Sequence, residues 1–217
     1  MGMGVLVLGH SGAGKSTSLR NFEPDEVGIF NVASKPLPFR KKLKKLNGAR
    51  YNQIANTLQA NRKRAYVIDD ANYLMAFENF AKAKQKGYDK FVDMAISFER
   101  MLEQITRTNE DTIVYVLMHP DYDESGRMKP KSVGKMLDNQ LTIEGMFPIV
   151  LVAYGDESGY HFRTNEASGI AKSPMDMFEG EVIDNDLKAV DTAIRDYWSM
   201  RPLQVDDEVV DDAESEA

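Results

Sequence analysis

The chain of 217 residues contains no cysteine, which excludes disulfide scaffolds, thiolate zinc sites and cysteine nucleophiles. It has only three histidines, too few for a His-rich metal centre. No apolar run approaches the ~20 residues that cross a bilayer. The opening MGMGVLVLGH has no basic segment ahead of its short apolar stretch. Neither a membrane span nor a signal peptide is therefore expected, and a soluble cytoplasmic protein is the default. Acidic residues are missing from one long stretch: there is none between Glu26 and Asp69. The same stretch carries ten bases, Lys35, Arg40, Lys41, Lys42, Lys44, Lys45, Arg50, Arg62, Lys63 and Arg64.

Apolar residues make up 42% and charged residues 28%, a globular composition. Most of the net charge of -7 comes from the end of the chain, where residues 201–217 hold seven acids and one base and leave a nearly neutral body. That segment has no periodicity and reads as a disordered acidic tail. Residues 1–200 read as one folded core.

Met3–Leu8 is a short apolar run ending at Gly9 and suits a buried strand, and Ser16–Asn21 reads as the start of a helix. Val27–Val32, Ala65–Ile68 and Thr112–Met118 are further strands, the last too apolar to be one-sided. Tyr51–Arg62 and the segment from Tyr73 to Ala81 have helical spacing, and Asp89 is placed to cap a helix striped by Phe91, Ala95, Phe98, Leu102 and Ile105. Asp123-Glu124-Ser125-Gly126 and Gly155-Asp156-Glu157-Ser158-Gly159 are turns. The second joins strands Phe147–Tyr154 and Tyr160–Thr164 in a hairpin. Leu187, Val190, Ile194 and Tyr197 mark a last helix that Pro202 ends. Alternating strands and helices imply an α/β fold, a mainly parallel sheet with flanking helices and an antiparallel hairpin extension.

Gly9-His10-Ser11-Gly12-Ala13-Gly14-Lys15-Ser16 fits G-x-x-x-x-G-K-[ST] and lies between an expected strand and an expected helix. The glycines let backbone N–H groups turn toward phosphates, Lys15 is spaced to reach the β- and γ-phosphates, and the Ser16 hydroxyl to ligate Mg²⁺. Residues Gly9 to Thr17 are thus the expected ATP-binding loop of a P-loop NTPase. Asp69, at the end of the Ala65–Ile68 strand, is the expected carboxylate beside the metal. Asp70 follows it, either as the group that activates the attacking water or as a support for the groups that do. The base-reading Asn/Thr-Lys-x-Asp of guanine binders is absent from the sequence, which disfavours a guanine-specific site.

GHSGAGKST, NVASKPLPFR, YVIDDANYLM, VLMHP, KPKSVGKMLDNQLTIEG and AKSPMDMF together resemble the bacteriophage RecA-like ATPases of the core-only, single-strand annealing type, also described as phage AAA-family ATP-binding proteins. The resemblance runs from about Met3 to Trp198. It implies a RecA-like core, a homo-oligomer in ring or filament form, and ATP-dependent action on single-stranded DNA in phage recombination or replication, in the host cytoplasm. A single-strand-binding protein is a further expected partner. RecA recombinases carry a Glu base at the end of the second strand, whereas this chain reads Asn31-Val32-Ala33-Ser34 there. His119 stands where such sheets face the γ-phosphate. Lys129, Lys131, Lys135 and Lys172 are candidates to reach a neighbouring subunit's nucleotide.

The basic residues Arg40, Lys41, Lys42, Lys44 and Lys45 are the candidate DNA contacts, through phosphate neutralisation, with Phe39 and Tyr51 as candidate base stackers. Two other readings stay open: a small P-loop kinase or phosphotransferase, and a nucleotide-gated interaction protein with little turnover.

Overall fold

The computed structural model describes residues 1–133, 141–167 and 169–203. Lys135 and the acidic run beyond Leu203 lie outside the described residues. In chain order the strands are β1 (Met3–Leu8), β2 (Val27–Asn31), β3 (Lys45–Asn47), β4 (Ala65–Asp69), β5 (Ile113–Met118), β6 (Pro120–Tyr122), β7 (Met128–Pro130), β8 (Ile149–Asp156), β9 (Gly159–Arg163) and β10 (Val182–Asp184). The α-helices are α1 (Tyr51–Ala60), α2 (Asn72–Ala81), α3 (Asp89–Thr106) and α4 (Leu187–Tyr197).

Eight strands form one sheet in the order β10-β9-β8-β1-β5-β4-β2-β3. The six from β8 to β3 run parallel, and β9 and β10 extend the β8 edge in antiparallel pairing. This is the expected α/β fold with a mostly parallel sheet. The strands β4 and β5 are buried at every position, as a sheet covered on both faces requires. Alternate side chains feed two separate cores because strand residues point to opposite faces in turn. Leu6, Leu8, Ile68, Val114 and Val116 pack with Ile54, Leu74, Phe98 and Leu102 from α1, α2 and α3. Val5, Val7, Val67, Tyr115 and Leu117 pack with Leu19, Leu187, Val190 and Ile194 on the other side.

Several local expectations shift. Ser16–Asn21 is a 3₁₀ helix; Pro24 follows too soon for the chain to continue, and short helical pieces tighten in this way. Asp89 is the first helical residue of α3, and Tyr88 occupies the cap without a side-chain bond. The helix α1 stops at Ala60 because Asn61 turns left-handed, at φ 46°, a conformation Asn tolerates. The helix α4 ends at Tyr197 with Trp198 as its C-cap, ahead of Pro202. Its N-cap is Asp186, whose carboxylate accepts from the Lys188 and Ala189 N–H groups. The strands β3 and β10 carry no apolar alternation to announce them.

A buried ionic cluster fastens α4 to the sheet. Arg195 pairs with Asp191 and donates to the carbonyls of Asp111, Arg201 and Arg64, at 2.9, 2.7 and 2.8 Å. The Tyr115 hydroxyl donates to the same Asp191, at 2.8 Å.

Candidate functional site

Parallel neighbours end on the same side of a sheet, so β1, β5, β4 and β2 deliver their C-terminal residues to one edge. In open α/β sheets ligands bind outside those ends. Register fixes the neighbours: Leu8 lies beside Met118 and Asn31 beside Asp69. From this edge rise the loop Gly9–Ser16, the pair Asp69 and Asp70, His119, and the turn that carries Lys35.

The loop is shaped by glycine. Gly12 and Gly14 have φ of 83° and 87°, which side chains other than glycine rarely adopt. Lys15 is 6% exposed, and its Nζ donates to the carbonyls of Gly9 (2.6 Å) and His10 (3.0 Å). Burial holds this ammonium below the usual lysine range, with the charges of Asp70 and Asp69 opposing the shift. The Ser16 hydroxyl donates to the Asp69 carboxylate and lies 3.0 Å from both oxygens. Burial, reinforced by the neighbouring charge of Asp70, lifts the Asp69 carboxyl to about 6, against the Ser16 hydrogen bond. A buried carboxylate in this state favours a cation. A serine hydroxyl beside one carboxylate is also a donor set that suits Mg²⁺, which binds through one or two carboxylates plus substrate phosphates and water. Among the described residues no cluster of three His, Asp or Glu side chains could hold a metal unaided.

Asp70 has a left-handed backbone, φ 61°. This turns its carboxylate between two bases: Lys35 Nζ at 2.7 Å on one oxygen and His119 Nε2 at 3.3 Å on the other. Burial pushes the carboxyl up, but the contacts to His119 and Lys35 outweigh it and hold Asp70 below the usual carboxylate range. The His119 N–H of the backbone is anchored on Asn72 Oδ1 at 3.2 Å, and the Tyr73 ring meets the imidazole edge-on. Lys35 follows a second left-handed residue, Ser34 at φ 58°. Its position is fixed by Asn31, which is 1% exposed. Asn31 Nδ2 donates to the Lys35 carbonyl (2.7 Å), and Asn31 Oδ1 accepts from the Lys35 N–H (3.2 Å). In the sequence Asn31 stands only where an acid is missing, and Lys35 is one base of the basic stretch, so neither is marked there as part of this site. Their signal was the single basic residue directly before Pro36.

His10 projects from the loop and stacks on Tyr122 of the β6–β7 hairpin, with its Nε2 2.9 Å from the tyrosine hydroxyl. Ser11 and Gly12 are exposed, Ala13 and Thr17 half-buried. Behind the loop runs a cleft of about 610 Å³, walled by His10–Ala13 on one side and by residues of β8 and β9, including Tyr154 and Tyr160, on the other. The carboxylates of Asp123 and Asp156 cap their own hairpin turns through Ser125 and Ser158.

The candidate lysines of the neighbour-reaching set are dispersed. Lys129 lies half-buried in β7. Lys131 is exposed just past it, its N–H on the His119 carbonyl at 2.9 Å. Lys172 pairs backbone to backbone with Val150 of β8. Lys129 and Lys131 thus do not share one environment. The basic stretch is partly neutralised by acids that precede it: Lys41 binds Glu23 at 3.0 Å, and Lys44 binds Asp25. Lys45 donates to the Lys35 carbonyl at 2.8 Å. Arg40 and Lys42 are exposed and form no ion pair among the described residues. Phe39 packs against one core, and Tyr51 packs against the other with its hydroxyl buried. Both rings are half-buried.

Among the described residues no helix is long and apolar enough to cross a membrane. Comparison of the chain with protein-family models and with curated proteins finds no match.

Proposed function

We propose that the chain is a P-loop ATPase of the RecA-like type, binding ATP with Mg²⁺ in the Gly9–Thr17 loop and coupling nucleotide state to single-stranded DNA as a homo-oligomer. The observation that carries the reading is the meeting of Ser16 and Asp69, 53 residues apart in the sequence, directly beside a buried lysine in a glycine-shaped loop. The folded arrangement joins the two halves of the motif that the sequence holds apart. The resemblance to phage recombination ATPases supplies the DNA and the assembly.

In this reading the loop amides and Lys15 hold the β- and γ-phosphates. Lys15 leaves the Gly9 and His10 carbonyls to do so. Ser16 and Asp69 would hold Mg²⁺, which when bound neutralises phosphate charge and fixes the phosphate geometry. Asp70, kept ionised, accepts a hydrogen bond from the attacking water and orients it toward the γ-phosphorus. The P–O bond to ADP breaks as the new bond to the water oxygen forms. His119 and Lys35 fix the carboxylate, and His119 stands between the loop and Asp70 because β5 lies between β1 and β4. Lys131 or Lys172 completes a neighbour's site. An alanine variant of that lysine binds ATP without turnover and is rescued in mixed assemblies with Lys15→Ala.

The deciding experiment is ATP hydrolysis with and without single-stranded DNA. Stimulation by DNA that is lost in Lys15→Ala supports the proposal. Phosphoryl transfer to a nucleoside in place of water would replace it with a kinase.

A further inference from the structure

We infer that the cleft between His10–Ala13 and the β8–β9 hairpin is the subsite for the nucleoside end of the triphosphate, with the Tyr160 ring as the surface on which the base stacks. The inference rests on the reading of the Gly9–Ser16 loop as a phosphate site.

The cleft, at about 610 Å³, falls within the roughly 300–1,000 Å³ of small-molecule sites. It shares the wall His10–Ala13 with the loop, so one ligand can occupy both. Tyr160 is 48% exposed, and its ring is held firmly. A methyl group placed on Gly14 would stand 2.9 Å from Tyr160 Cδ1, and one placed on Gly155 would stand 3.0 Å from the same atom. Only glycine at both positions lets the ring lie this close to the backbone. The Tyr160 carbonyl accepts from the Asn185 N–H at 3.2 Å, and the Asn185 carbonyl accepts in turn from Arg20, which belongs to the turn following the loop. Tyr160 is thus tied to the C-terminal side of the phosphate loop, by its ring against Gly14, which directly precedes Lys15, and by its backbone through Asn185 to Arg20. An aromatic surface fixed before binding stacks a base at little further entropic cost.

Asp156, the carboxylate in the cleft wall, is committed to the N–H and hydroxyl of Ser158 and lies 3.4 Å from His161 Nε2. The Tyr160 ring would contact the face of the base.

The test compares the magnesium complexes of ATP and of inorganic tripolyphosphate, titrated calorimetrically into the full chain. Tripolyphosphate carries the phosphates and lacks the nucleoside. Wild type is expected to bind ATP more tightly than tripolyphosphate. Tyr160→Ala should weaken ATP about 10- to 100-fold, the span of one base–aromatic stack, and leave tripolyphosphate unchanged. Tyr160→Phe should keep the ATP affinity. Gly155→Ala, which displaces the ring and leaves the phosphate loop intact, should give an intermediate loss for ATP alone. An unchanged ATP affinity in Tyr160→Ala, or an equal loss for both ligands, overturns the subsite. If wild type binds neither ligand, the phosphate reading itself fails.

Discussion

Replacing Asp69 by Asn separates the stability of the ligand-free protein from its affinity for nucleotide. Asp69 is 5% exposed and lies against a second carboxylate. Its ordinary value of 3.8 is lifted to about 6, about two pH units, equivalent to about 3 kcal/mol at 1.36 kcal/mol per unit. The sign follows from proton uptake. Between 3.8 and about 6 the folded chain holds a proton that the unfolded chain has released. Stability contributed by this group is complete below 3.8, falls as pH rises through that window, and stays low above it. Asn carries no charge to desolvate, and its amide oxygen still accepts from Ser16. The variant should therefore be more stable than wild type at pH 7.5 by up to about 3 kcal/mol, or roughly 6–12 °C in Tm at 2–4 °C per kcal/mol for a chain of this size. The gap should close toward pH 4. Other carboxyls titrate in the same range, and subtracting the two proteins' profiles removes them. Thermal melts from pH 4 to 7.5 without nucleotide give the comparison. Equal melting temperatures at pH 7.5, or a gap independent of pH, would refute the reasoning. With saturating ATP–magnesium the gap should shrink or reverse, because wild type, which keeps the carboxylate beside the metal, gains more stability from the ligand.

Arg195→Ala leaves Asp191, 0% exposed, without its cation and should cost about 3–5 kcal/mol. Denaturant unfolding should show a smaller loss for the double variant Asp191→Asn/Arg195→Met. Lys35→Ala removes one of the groups that hold Asp70 low, so the acid limb of kcat/KM against pH should move to higher pH; an unmoved limb means Asp70 does not set it. Arg40→Ala/Lys42→Ala should lower the slope of log affinity against log salt on single-stranded DNA by about 1.4, at ~0.7 per phosphate contact. Lys41→Ala should change that slope less, since Lys41 is bound to Glu23. A drop of the full ~0.7 for Lys41→Ala would show that the acids before the block do not shield it.

What the sequence made legible follows from where the physics is local. The glycine spacing of residues 9–14, the apolar runs of β1, β4 and β5 and the stripe on α3 each report their own environment. The Ser16–Asp69 meeting was readable because a motif carries its chemistry in residue type. The Lys35–Asp70–His119 cluster was not, because it depends on two left-handed residues, Ser34 and Asp70, and on the adjacency of β2 and β4. Strand order of this kind is a property of the whole sheet. Tyr160 read as one residue of a hairpin; its closeness to Gly14 comes from β8 pairing with β1. The basic block read as an open surface, and folding brought Glu23 and Asp25 back onto it.

The central claim is that Lys15 and the loop around it grip a triphosphate. Calorimetric titration of ATP–magnesium into the full chain tests it most directly. Saturable binding of one nucleotide per chain, abolished in Lys15→Ala while the melting profile stays native, is the predicted result. No heat from wild type, or the same affinity after loss of the ammonium, would contradict it.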